Sequence, residues 1–172
     1  MSNEKVKNGS STIGYTGNVT VKVIGKKGKI NKQYKGKNSG KLPLFKYLAY
    51  ALCGNYESQS CPIFIATYNS DGEVTCINPI LKSQTSMTTS TSNGVEMASA
   101  LLTFIIPGVS FLLGSQTRMV RLFDGENYLT YNKSNVTPSA EYLLDEDVSI
   151  SSDENLLVVW QLNISNNVSQ GE

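Results

Sequence analysis

Val19, Val21 and Val23 alternate with Thr20 and Lys22, the two-residue period of a strand with one buried face. Gly25 to Gly28 reads as a turn, and Lys29 to Lys35, with Ile30 and Tyr34 set among lysines, completes a basic β-hairpin. After Pro62 the strand pattern returns at Ile63 to Tyr68 and Val74 to Ile80, joined by an Asp71-Gly72 turn. Further strands are predicted at Val95 to Ile106, Gln116 to Phe123, Tyr128 to Asn132, Tyr142 to Ile150 and Leu156 to Ile164, with Asp124-Gly125 as another turn. The last is the clearest. Leu156, Val158, Trp160, Leu162 and Ile164 share one face, which predicts a central or near-central strand lining the core.

A single segment has the helical period. Leu44, Leu48 and Leu52, widened by Phe45 and Ala49, predict an amphipathic helix over residues 42–53, with Pro43 in its first turn and Gly54-Asn55 as its stop. Ser83 to Gly94 is polar and without apolar anchors, and is expected to be a mobile loop that a partner orders. Met97 to Gly114 is apolar and close to bilayer length, but Pro107-Gly108 interrupts it, so two buried strands or a strand and a packed loop are expected instead of a membrane span.

About eight or nine short strands and one helix describe a mainly β fold, a β-sandwich of jelly-roll or immunoglobulin-like kind with the helix closing one end. The expected organisation is a flexible leader over 1–17, one domain over 18–165 and a flexible tail over 166–172. A length of 172 residues with 40% hydrophobic and 17% charged side chains fits one globular domain. The polar leader contains no apolar stretch of the secretory kind, so synthesis in a reducing cytoplasm is expected.

Histidine is absent. That removes Ser-His-Asp triads, Cys-His dyads, imidazole metal ligands and a titrating switch near neutral pH. Cys53, Cys61 and Cys76 are odd in number and lack paired spacing, which favours buried thiols over a disulfide framework or a zinc site. Gly36 to Lys41 is one residue too short for a phosphate-binding loop, and Leu42 stands where Ser or Thr should hold magnesium. Asp145, Glu146, Asp147, Asp153 and Glu154 form the only carboxylate cluster, and without calcium-loop spacing they read as solvated strand ends and turns. Trp160, Tyr142 and Tyr128 could form a sugar platform, but Trp160 lies in the most apolar strand and reads as core. No catalytic, cofactor or metal residue is assigned, and the chain is read as a non-enzyme.

Charge is segregated along the chain. Residues 1–46 hold 11 lysines against one acid, and residues 124–172 hold nine acids against one base, so the two ends carry +10 and −8 while the whole carries +1. The lysines could grip nucleic acid, but no arginine and one aromatic accompany them, which makes this the less favoured reading. The favoured one places Lys26, Lys27, Lys29, Lys32 and Lys35 on one flank and Asp145, Glu146 and Asp147 on the opposite flank, so that one copy docks on the next. The competing reading is mutual neutralisation inside one copy.

The lysine-rich opening strand pair, the Gly36–Gly40 lead-in, the Leu44–Gly54 helix pattern, Phe104-Ile-Ile-Pro107 and the final Leu156–Ser165 strand together resemble small β-rich virion proteins of tailed bacteriophages, particularly crAss-like gut phages. The resemblance implies a structural role in the tail, collar or fibre-attachment region, without catalysis or cofactor. The leading reading is a multi-copy module that contributes a β-sandwich to a ring, collar or tail and contacts copies of itself and other virion proteins, and the reduced cysteines and polar leader are compatible with assembly in a host bacterial cytoplasm. A receptor- or glycan-binding module of a tail fibre or adhesin is the alternative.

Overall fold

The computed structural model describes residues 11–38, 63–79, 85–92, 95–111, 114–123 and 136–168. The described residues form nine strands: β1 (Ser11–Ile24), β2 (Ile30–Asn38), β3 (Phe64–Tyr68), β4 (Val74–Pro79), β5 (Thr85–Ser92), β6 (Val95–Pro107), β7 (Gln116–Phe123), β8 (Ala140–Ser149) and β9 (Asn155–Val168). They make two antiparallel sheets, ordered β2-β1-β9-β6-β5 and β4-β3-β7-β8, packed face to face as a β-sandwich. The chain supplies the sheets alternately: β1–β2 to the larger, β3–β4 to the smaller, β5–β6 to the larger and β7–β8 to the smaller. β9 then inserts between β1 and β6. The predicted helix over 42–53, the predicted strand Tyr128–Asn132, Cys53 and Cys61 lie outside the described residues.

Period-2 patterning builds the core. The larger sheet turns Val19, Val21 and Val23 of β1, Leu102, Phe104 and Ile106 of β6, and Leu156, Val158 and Trp160 of β9 inward. Ile65 of β3, Val120 and Leu122 of β7, and Ala140, Tyr142, Leu144 and Val148 of β8 meet them from the smaller sheet. Trp160 is fully enclosed, as its place in the central strand β9 predicts.

β3 differs from the others in being buried at all five positions. Its second face carries Phe64, Ala66 and Tyr68, which form a separate apolar cluster with Phe123, joined by Val136. Phe64 and Phe123 stack with ring centroids 5.2 Å apart. An uninterrupted Phe-Ile-Ala-Thr-Tyr run is the sequence form of a strand covered on both sides.

Several expectations need correction. The segment Ser83–Gly94 is not a loop over its described part: β5 pairs with β6 from Thr85↔Leu102 to Ser92↔Val95. The leader does not extend to residue 17, because β1 pairs with β9 from Ser11↔Val168 onward, which also takes Asn166 to Val168 out of the expected tail. The apolar run after Met97 becomes β6 followed by a tight turn at Gly108–Ser110. No helix among the described residues is long and apolar enough to cross a membrane.

Candidate functional site

The hairpin β1–β2 turns through Gly25–Lys29, with Lys27 and Gly28 in the left-handed region. Its second strand, β2, is an edge of the larger sheet, and β8 is an edge of the smaller one on the same side. The two edges approach each other. Gly36 permits the approach: a Cβ there would lie 2.2 Å from Cε2 of Tyr142, whose ring crosses the glycine.

β8 is distorted where its acids lie. Met119 pairs with Leu143 and Thr117 with Val148, so residues 144–147 stand opposite the single residue Arg118. This bulge buries Leu144 and pushes Asp145, Glu146 and Asp147 out to solvent. Glu146 then reaches β2: Lys32 Nζ donates to its Oε1 at 2.9 Å, and the Tyr34 hydroxyl donates to the same oxygen at 2.5 Å. The Tyr34 hydrogen bond and then Lys32 hold the Glu146 carboxyl below the ordinary carboxylate range. Lys32 is raised in turn, chiefly by its hydrogen bond to Glu146.

The hairpin turn meets the β8–β9 turn in the same way. Lys26 Nζ lies 3.2 Å from Asp153 Oδ2, and Asn31 Nδ2 donates to Glu154 Oε1 at 2.7 Å. Glu154 also accepts from the Ser151 backbone N–H at 2.9 Å through Oε2, and its own carbonyl accepts from Gly108 N–H at 2.7 Å. The Ser151 contact lowers the Glu154 carboxyl most, with Asn31 adding to it. Gly108 has no room for a side chain, since a Cβ would fall 1.9 Å from the Ser151 carbonyl oxygen. Glu154 therefore ties the hairpin, the end of β6 and the start of β9 together.

These contacts correct the expected opposition of charges. The basic hairpin and the acidic residues do not occupy opposite flanks; they form one seam along one side of the sandwich, and Lys26, Lys32 and Glu146 are engaged within the chain. Lys27, Lys29, Lys35, Asp145 and Asp147 are exposed and make no ion pair among the described residues. The register that brings Lys32 to Glu146 depends on the β8 bulge, which no local sequence signal announces.

Other candidate chemistry resolves into structure. Trp160 and Tyr142 are core residues and form no exposed platform, while Tyr128 lies outside the described residues. Cys76 is buried, and burial pushes its thiol pKa up. No group of three or more Cys, Asp or Glu side chains among the described residues is placed to hold a metal ion. An open pocket of about 620 Å³ lies at one end of the sandwich, lined by Val109, Phe111, Ser115, Ile150 and Ser151 among others, none of them ionisable. Three threonines, Thr67, Thr75 and Thr117, join hydroxyls inside the smaller sheet at 2.7 and 3.4 Å.

The outer face of the larger sheet is the feature that the sequence did not single out. Register places Ile105, Leu157 and Lys22 in one row, Thr103, Val159, Thr20 and Lys35 in the next, and Leu101, Gln161, Asn18 and Lys37 in a third. Ile105 is 49% exposed and Leu101 37%. The face thus has an apolar half on β6 and β9 and a lysine-bearing half on β1 and β2. Compared with protein-family models, curated proteins and solved structures, the chain matches none.

Proposed function

We propose that the chain is a non-enzymatic structural protein of a bacteriophage virion, a multi-copy tail, collar, ring or fibre-attachment component that works by docking on copies of itself and on other virion proteins. The observation that carries this reading is the outer face of the larger sheet, where Ile105 and Leu101 stand exposed beside Leu157 and Val159 on a rigid sheet. Exposed apolar side chains grouped on one face mark a contact surface more often than chance placement does. The flanking Lys22, Lys35 and Lys37 select a neighbour with acidic groups at its rim. Charge pairing between hairpin and bulge is spent inside the chain, so apolar and main-chain contacts are the proposed source of affinity.

Negative-stain microscopy of the purified protein tests the proposal. Rings, stacks or short rods are expected, and they should be lost when Leu101 and Ile105 are both replaced by Glu. Uniform single particles of monomer size, or multimers indifferent to that double substitution, would overturn it.

A further inference from the structure

Among the described residues, four strands form the edges of the two sheets: β2 and β5 in the larger, β4 and β8 in the smaller. Three of them are guarded against further pairing. β2 carries Lys32, Lys35 and Lys37 and lies against β8; β8 is interrupted by the acidic bulge; β4 is short and ends at Pro79. β5 has none of these devices. Its eight residues, Thr85-Ser-Met-Thr-Thr-Ser-Thr-Ser92, include no charge, no proline and no glycine. Its one neighbouring strand among the described residues is β6, and positions 86–91 are exposed, Met87 at 75%. β4 stands opposite β6, so β5 overhangs the smaller sheet by one strand.

The strand is also nearly palindromic about Thr88. Two antiparallel strands related by a twofold axis normal to the sheet keep their faces matched only when the axis passes through a residue position. With the axis at Thr88, Thr88 meets its own copy, Ser86 meets Ser90 of the second copy, and Met87 meets Thr89. Hydroxyl meets hydroxyl on the outer face, in the Thr–Thr and Ser–Ser pairs that favour antiparallel neighbours. An uncharged, self-matching edge offers little to a dissimilar partner beyond its backbone, whereas a second copy completes both backbone and side-chain pairing.

We infer that β5 is a self-pairing edge, joining two copies of this chain through antiparallel β5–β5 contact centred on Thr88 into one continuous ten-stranded sheet. The inference rests on the multi-copy reading above and adds the element that makes the contact. It also fits the polarity of the segment: a strand that will lie in the middle of a sheet exposed on both faces has no use for an alternating apolar pattern.

Gel filtration with light scattering on the full chain, over a wide concentration range, tests it. The wild-type protein should run as a dimer or a multiple of one. Thr88→Lys places like charges opposite each other across the axis and should shift the mass to half; Thr88 is exposed, and an unchanged far-ultraviolet circular dichroism spectrum shows that the fold survives. Thr88→Cys, mildly oxidised, should give a disulfide joining position 88 of the two copies, identified by peptide mass spectrometry, because directly opposed Cβ atoms lie within bridging range. A wild-type monomer at every concentration, a Thr88→Lys protein of unchanged mass, or absence of the 88–88 cross-link would overturn the inference. Multimers that persist with Thr88→Lys and vanish with Leu101→Glu/Ile105→Glu would sink β5 pairing while leaving the outer-face reading intact. Dimers showing the reverse sensitivity would support β5 pairing and count against that reading.

Discussion

Trp160 is wholly enclosed between the sheets, and its position fixes the scale of what one side chain contributes. Trp160→Ala should cost about 3–5 kcal/mol of unfolding free energy, the ordinary consequence of a large cavity in a packed core, measured by urea denaturation. Gly36→Ala tests a different constraint. The new methyl group has to displace the Tyr142 ring, and about 1–3 kcal/mol of destabilisation is expected by the same measurement. Gly108→Ala should be worse, since the obstacle is the Ser151 carbonyl of the backbone. Glu146 and Glu154 give the residue-scale pH dependence. Both carboxyls titrate below the ordinary Glu value when folded. Their stabilisation is therefore fully present above the unfolded pKa of about 4.3 and is lost as pH falls through the lower folded values. Melting temperatures measured from neutral to acid pH should fall less steeply for the Glu146→Gln/Glu154→Gln protein than for the wild type; parallel curves would contradict the assigned contacts.

At the scale of elements, the strands that line the core were legible and those that do not were hard to read. β1 and β9 follow from alternating apolar positions, because burying one face of a strand leaves that mark. β5 left no such mark. It overhangs the smaller sheet, so neither face needs apolar residues, and a polar Thr/Ser/Met segment resembles a loop by composition. The signal that could have found it is chemical: threonine favours strands, and Asn93-Gly94 is the two-residue pair that best marks a hairpin between Ser92 and Val95. The charged seam was half legible. Composition showed a basic start and an acidic end, but whether they meet depends on the β8 bulge and on which edges of the two sheets coincide, both set by long-range packing. The hairpin and the β8–β9 turn should accordingly unfold together. Lys26→Ala/Asn31→Ala, removing the two contacts to Asp153 and Glu154, should speed amide hydrogen exchange in both elements and leave the centre of β9 unchanged.

For the whole molecule, the β-sandwich is a rigid platform whose surfaces differ in kind. One side is closed by the seam, the opposite side ends, among the described residues, in the edge strand β5, and the broad face between them is apolar on one half and basic on the other. Such a body suits repeated contact with neighbours, and the proposed virion role follows from that suitability together with the resemblance of its sequence pattern to small phage structural proteins. The seam also determines how assembly should respond to salt. Lys32–Glu146 and Lys26–Asp153 are contacts within the chain, so they cannot be the bonds between copies.

Light scattering of the purified protein at low and high salt tests whether copies dock through apolar and main-chain contacts. Screening weakens contacts between exposed charges but leaves main-chain pairing and apolar burial in place. A mass above that of one chain is expected at both salt concentrations. A monomer throughout, or multimers that dissolve when salt is raised, would contradict it.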